Sequence, residues 1–314
     1  DDPEMLAIVL TKPIEKSRLT DMLIDCVQSG WSTQVAMLLK KGADAKVLCG
    51  DMTLLQYAVT SNFGEAHQIV ELLLQYNADP NWVRGKFKKT YFKSGEVSLA
   101  HLIAQVRDRS RTERVTQEYE DSNTALHQVM LDADAMNTNQ MLQITRSLLG
   151  HNANPNLRNE EQKTPLHIIC ENAYFNETHV EIIRELAAKS NVNSQDANGN
   201  TPLHCLLLRY SANLCGNPEI LNIVGLLLTP DFNINVQNRD GNSVLHLVYL
   251  FLAQHSRVPH IVSVGLEIVH LIAEKHPNKQ LTNAEGLTAE YLEKTIRIEA
   301  CVLIEIGLPT LVKS

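Results

Sequence analysis

One four-residue cluster recurs along the chain at nearly even intervals. It reads Thr124-Ala125-Leu126-His127, Thr164-Pro165-Leu166-His167, Thr201-Pro202-Leu203-His204 and Ser243-Val244-Leu245-His246. A looser copy is Thr53-Leu54-Leu55-Gln56-Tyr57-Ala58, and a degenerate one is Thr288-Ala289-Glu290-Tyr291-Leu292. From Thr124 onward the starts lie 40, 37, 42 and 45 residues apart, whereas 71 residues separate Thr53 from Thr124. Self-similarity at such a period marks a stacked array, because a single unit cannot bury its apolar face alone. This constrains the chain more than its length of 314 residues, which would also allow two ordinary domains.

Each cluster is followed by a second apolar set at helical spacing. Examples are Ile69, Val70, Leu72, Leu73 and Leu74; Val180, Ile182, Ile183 and Leu186; and Ile220, Leu221, Ile223, Val224 and Leu227. Turns then follow: Gly42-Ala43-Asp44, Asn77-Ala78-Asp79-Pro80-Asn81, Asn152-Ala153-Asn154-Pro155-Asn156 and Asn191-Val192-Asn193. Gly and Asn tolerate the left-handed conformation that ends a helix, and Pro80 and Pro155 stop it from resuming. More turn residues precede the next Thr or Ser, as in Asp196-Ala197-Asn198-Gly199 and Asn238-Arg239-Asp240-Gly241.

This unit resembles the ankyrin repeat, whose T-P-L-H tetrapeptide opens a first helix and whose G-A-D-x-N follows a second. The likeness runs from about Leu19 to the C-terminus. The family unit is about 33 residues; the copies here are longer, with the excess between the paired helices at 172–178, 211–218 and 255–259. The glycine before Thr is replaced by Asp51, Ser122 and Gln162. The resemblance implies an all-α ankyrin-repeat solenoid of about six helix-pair repeats, with hairpin-like loops and a basic insertion. Residues 1–18 are expected to form an N-terminal cap with a helix over 3–12, and 19–83 the first two repeats. The basic insertion spans 84–121, repeats three to six span 122–286, and capping helices span 287–314.

Composition agrees with this. Aromatic residues are only 5% against 44% hydrophobic, which suits an aliphatic core of packed helices. The six cysteines show no C-x-x-C pair, so a reducing, intracellular setting is expected rather than a disulfide framework. No apolar run reaches the roughly 18 residues of a membrane span. The chain opens on Asp rather than Met, so it is expected to be a fragment of a larger protein.

The net charge is −8 but is unevenly placed. Residues 83–115 carry nine basic and three acidic side chains, a net of +6, which leaves −14 for the remainder. The bases are Arg84, Lys86, Lys88, Lys89, Lys93, Arg107, Arg109, Arg111 and Arg114, interleaved with Phe87, Tyr91 and Phe92. Such a segment can neutralise phosphates and stack bases, so nucleic acid or anionic lipid is an alternative partner at Arg84, Lys86, Phe87, Lys88, Lys89, Tyr91, Lys93, Arg107, Arg109, Arg111 and Arg114. The plainer reading is a hydrated loop, or one that pairs with acidic repeats. Ser98–Ala104 is apolar enough for a helix, but 111–119 is too polar for a buried partner, which favours an insertion over a damaged seventh repeat.

The other reactive side chains read as structural. His127, His167, His204 and His246 share one repeat position, where the family's His bonds to its own Thr and to neighbouring backbone. Cys170 and Cys205 near those histidines suit core packing better than a nucleophilic dyad. Glu267, His270 and Glu274 fall on one helix face with no facing ligand set, so no metal is expected. Asn81, Asn156, Asn193 and Asn235 hold the position where the family's Asn braces the turn. Phosphate-binding loops, zinc-protease motifs and nucleophile elbows are absent, and no cofactor or catalytic residue is expected.

Stacked repeats create a long concave face from first helices and loops, and variable positions there are where a protein partner is expected. The candidates are Glu171, Asn172, Leu208, Arg209, Tyr210, Tyr249 and Phe251. Aromatics and Arg are favoured interface anchors; the competing reading is that long first helices pack these rings against the inter-helix loops.

Overall fold

The structure, a computed structural model, describes residues 3–61, 64–83, 122–131, 137–171, 175–213, 219–255 and 258–296. After a leading helix α1 (Pro3–Val9) the helices come in pairs. They are α2 (Lys16–Gln28) with α3 (Ser32–Lys40), α4 (Leu54–Thr60) with α5 (Ala66–Gln75), and α6 (Ala125–Leu131) with α7 (Thr138–Gly150). Then follow α8 (Pro165–Glu171) with α9 (Glu177–Ala187), α10 (Pro202–Asn213) with α11 (Ile220–Leu227), and α12 (Val244–Gln254) with α13 (Pro259–Ala273). A short hairpin, β1 (Leu48–Cys49) and β2 (Met52–Thr53), precedes α4, and residues 289–296 are again helical. Among the described residues no helix is long and apolar enough to cross a membrane.

The pairs stack into two layers. First helices pack in the order α2, α4, α6, α8, α10, α12, and second helices in the order α3, α5, α7, α9, α11, α13. The apolar spacing read from the sequence faces the seam: α5 buries Ile69, Val70, Leu73 and Leu74, and α9 buries Val180, Ile182, Ile183 and Leu186. One continuous aliphatic core results, running from Leu10 to Leu292.

Local chemistry sets the helix ends. Thr53 caps α4 through a capping box with Gln56, and Asn176 caps α9 through one with His179. Gly42, Asn77 and Asn152 take positive φ after α3, α5 and α7, and the next amides close back on the helix, as from Ala78 to the Leu73 carbonyl at 2.9 Å.

The loops between pairs also stack. The amide of Ala197 donates to the Glu161 carbonyl at 2.9 Å, that of Arg239 to Asn198 at 2.9 Å, and that of Ala284 to Asp240 at 2.8 Å. Gly199 and Gly241 are left-handed (φ 77° and 71°), and Gln162, where glycine is missing, adopts the same conformation at φ 58°. At the first repeat the left-handed residue is Gly50, one position before Asp51, inside the β1–β2 hairpin.

The leading helix ends at Val9 rather than Lys12, and none of its residues is fully buried. Across the basic insertion, α4 packs directly on α6 and α5 on α7. Gln56 Nε2 donates to the Asn123 carbonyl at 2.7 Å, and Asn81 Nδ2 to the Asn152 carbonyl at 3.0 Å. The described repeats on either side of residues 84–121 therefore stack directly on one another. The side chains named there, Arg84 to Arg114, lie outside the described residues, as do residues 297–314.

Candidate binding face

The repeated polar side chains are consumed in joining one repeat to the next. In each T-x-x-H unit the ring Nδ1 lies 2.7–2.8 Å from the Thr or Ser hydroxyl: Thr124–His127, Thr164–His167, Thr201–His204 and Ser243–His246. The backbone amide of the same Thr or Ser also points at Nδ1, so Nδ1 is the acceptor and Nε2 carries the proton. That Nε2–H donates to a carbonyl further along the stack: Lys163 at 3.0 Å from His127, Asn200 at 3.1 Å from His167, Asn242 at 3.2 Å from His204 and Leu281 at 3.0 Å from His246. Burial pushes His127, His167 and His204 down to about 4, and lowers His246 as well. These are neutral, fully buried struts.

Gln56 does the same work in the second repeat. Its Oε1 accepts from the Thr53 amide at 2.9 Å, and its Nε2 reaches Asn123. The turn asparagines form a second ladder: Asn193 Nδ2 donates to the Asp231 carbonyl at 2.8 Å, and its Oδ1 accepts from the Asn233 amide at 2.7 Å. Asn81, Asn156 and Asn235 each accept an amide of the next turn in the same way.

Cys170 and Cys205 are buried, and burial raises both thiols well above their usual range. Cys205 Sγ comes together with carboxylate oxygens of Glu171 and Asp196, all within 4.8 Å of one another. The cation at this spot is Lys163, whose Nζ lies 2.6 Å from Glu161 and 2.8 Å from Glu171. Burial opposes that charge, but the two carboxylates overcome it and hold the ammonium above its ordinary pKa. Asp196 is further tied by the amides of Asn198 and Asn200, both at 2.8 Å. His270 and Glu274 are open to solvent, with Nε2 and Oε1 3.8 Å apart.

The expected partner residues divide. Leu208 is 40% exposed. Glu171 and Arg209 are half-buried, and Arg209 Nε is enclosed without a hydrogen-bond partner. Tyr249 and Phe251, expected on the open face, are instead in the core at 4% and 3% exposure. The reason is α12, which is apolar nearly all round and packs between α10 and α13. Gly265 of α13 lets it approach: a Cβ there would fall 2.5 Å from Leu252 Cδ2 and 3.6 Å from Phe251 Cε1. Phe251 also lies against the His255 ring, with centroids 4.6 Å apart. Tyr210 is described only as a residue of α10, and Asn172 lies outside the described residues.

One exposed residue was passed over. Leu131, at the end of α6, is 46% exposed and lies seven residues after its Thr, as Glu171 and Leu208 do after theirs. Counting from each T-x-x-H start finds it.

Comparison with known proteins places this architecture. The family described as "Ankyrin repeats (3 copies)" matches residues 130–215, and "Ankyrin repeat" matches residues 50–84. A protein of Plasmodium falciparum (isolate 3D7), provisionally named as an E3 ubiquitin-protein ligase, is 25% identical over 130 residues. That stretch is 41% of this chain but 1% of the other, so the chain spans a small fraction of that relative's length. Among solved structures, the ankyrin repeat domain of Bcl-3, a member of the IkappaB family, superposes with a TM-score of 0.56 at 18% identity. It covers 88% of this chain and 96% of that one. An ankyrin repeat domain from Acinetobacter baumannii AYE superposes at 0.55, also at 18% identity, covering 82% and 98%. Ankyrin repeats generally serve as protein-interaction modules, and their fold is typically non-enzymatic. With its T-x-x-H struts, asparagine ladder and paired-helix stack, the chain has the ankyrin-repeat fold and carries ankyrin repeats matched at residues 50–84 and 130–215.

Proposed function

We propose that this chain is a non-catalytic protein-interaction module of a larger intracellular protein, and that its partner meets the first-helix face at Glu171, Leu208 and Arg209. One observation carries this reading. The side chains that could do chemistry are bound into the stack, whereas Leu208 and Arg209 sit side by side on a first helix with an exposed leucine and an enclosed, unpaired Nε. Arg209 is a half-buried cation next to an exposed leucine, and Arg is a favoured interface anchor. The four described cysteines are free thiols, which agrees with a reducing compartment.

The test is affinity capture with the intact chain beside a Leu208→Glu, Arg209→Glu variant. Loss of a specific protein partner with the variant, at unchanged melting temperature, supports the reading. Undiminished capture of that partner by the variant removes this face from consideration.

A second reading is favoured by the local charge of +6 in residues 83–115: binding of nucleic acid or anionic lipid through the insertion. Reversing Lys88, Lys89 and Lys93 to Glu should then abolish a salt-sensitive gel shift or vesicle co-sedimentation. No shift and no co-sedimentation by the native chain at low salt would dispose of it.

A further inference from the structure

The first helices α6, α8, α10 and α12 lie side by side in that order. The seventh residue after each opening Thr or Ser therefore falls at an equivalent place on successive helices. These residues are Leu131, Glu171, Leu208 and Leu250. Leu131 and Leu208 are 46% and 40% exposed. The Glu171 side chain is 35% exposed, and Leu250 is partly buried against the core. An apolar row with one acid in it thus crosses four repeats.

The spacing of that row restricts what can lie along it. Packed helices stand about 8–10 Å apart, so the row advances by about that distance per repeat. A polyproline II strand has about three residues per turn and rises about 3.1 Å per residue, advancing about 9 Å per turn. The two periods agree. A strand in that conformation can place one side chain of every three over successive row positions. An α-helix crossing the row returns a side chain to one face about every 5.4 Å or, over two turns, about every 10.5 Å, and neither interval falls within about 8–10 Å.

Charge restricts the partner further. Around Glu171, the Lys163 ammonium is shared by two carboxylates, Glu161 and Glu171, while Asp196 lies beside Glu171 and Cys205, and α10 contributes the cation Arg209. Residues 122–296 as a whole hold 17 acidic against 11 basic side chains, a net of −6. A cation at the strand position over Glu171 meets an acidic excess; an anion there meets repulsion.

We propose that the Leu131–Glu171–Leu208–Leu250 row receives an extended, polyproline-like segment of a partner protein, with side chains recurring every third residue as apolar, basic, apolar, apolar. This rests on the interaction-module reading above and adds to it the chemistry of the partner. The apolar side chains cover the exposed leucines, and the basic one competes with or joins Lys163 at Glu171.

The probe is a fluorescein-labelled peptide, Leu-Pro-Pro-Arg-Pro-Pro-Leu-Pro-Pro-Leu, with its reversed sequence because strand direction is not fixed by the row. Anisotropy titration with the full chain should show saturable binding of one of the two. Binding should weaken roughly tenfold or more when Arg becomes Glu, or when the same residues are re-spaced to put Leu at every fourth position. The double variant Leu131→Ser, Leu208→Ser should weaken it similarly. Leu266→Ser, which alters an exposed leucine on α13, should leave it unchanged. Both altered leucines are surface residues, so an unchanged melting temperature for the double variant is the folding control.

Absence of binding by both peptides, equal binding of the re-spaced peptide, or indifference to the double variant would each overturn the proposal. A natural protein partner that binds the chain and the double variant equally would also sink the row as its docking strip, while leaving the interaction reading standing.

Discussion

Acid should unfasten this array through its buried histidines. His127, His167 and His204 are fully buried with pKa values of about 4, against an ordinary 6.5. Burial is the leading cause in each, opposed by the carbonyl bond from Nε2. Asp196 also raises His167 and His204, while the His167 charge lowers both of its neighbours. The unfolded imidazole takes its proton near pH 6.5 and the folded one only near pH 4, so between these values the unfolded state binds more protons. Stability is then fully present above about pH 6.5 and is lost as the pH falls toward 4. A shift of that size is worth about 3 kcal/mol per histidine below pH 4, and about 2 kcal/mol of it is gone at pH 5. Three histidines therefore remove about 5–6 kcal/mol between pH 7 and pH 5, comparable with the whole stability of many domains. Ordinary carboxylates titrate mostly below this window, which leaves it to the histidines.

The second repeat supplies the control. Gln56 makes the same bonds as these histidines and does not titrate. A chain with His127→Gln, His167→Gln and His204→Gln should keep the struts at pH 7 and lose most of the pH dependence. Urea unfolding followed by circular dichroism at pH 7 and pH 5 measures both. If the triple variant loses as much stability as the parent between those pH values, or if the parent loses none, the reasoning is wrong.

Four further substitutions test the stacked loops and turns. Gly241→Ala combines a left-handed backbone at φ 71° with a Cβ 2.8 Å from the Asn283 Cα; it should cost about 2–4 kcal/mol by thermal melting. Gly286→Ala, at φ 76° with open space around it, should cost only about 1–2 kcal/mol. Gln162→Gly relieves a left-handed glutamine and should raise stability by about 0.5–1 kcal/mol, net of the added freedom of the unfolded chain. Asn193→Ala deletes both inter-repeat bonds of its side chain and should cost about 1–3 kcal/mol by the same measurement.

Whatever depends on short spacing was legible in the chain. The Thr-to-His interval fixes the strut, the Gly or Asn after a second helix fixes its left-handed end, and the apolar spacing fixes which face is buried. What depends on a distant residue was not. Tyr249 and Phe251 are buried, and Phe251 and Leu252 lie against Gly265, a fact held on a different element and invisible from the aromatic cluster itself. The 71-residue gap between Thr53 and Thr124 is close to two periods, so spacing alone could not exclude a seventh layer. The bond from Gln56 to Asn123, spanning 67 residues, and the packing of α4 on α6 show direct stacking. Leu131 stands in the same register as Glu171 and Leu208, but a lone leucine carries no aromatic or charged signal in the sequence.

The same accounting explains where specificity in such an array has to reside. Positions that repeat spend polar atoms inside the framework: the Thr or Ser hydroxyl on its own His, the His Nε2 on the carbonyl ahead, and the turn Asn Oδ1 on an amide of the next turn. Positions that vary are not so bound, and their environment differs with each repeat. Eight residues after the opening Thr or Ser, Arg209 is a half-buried cation while Phe251 is a core ring. Seven residues after it, Leu131 and Leu208 face solvent, Glu171 leans on Lys163 and Leu250 is half-covered. Stability of the stack is nearly a sum of local terms, so a surface residue such as Leu208 can change without loosening the struts beneath it. The framework thus separates holding from binding, one set of residues for each, and a substitution can be directed at one without disturbing the other.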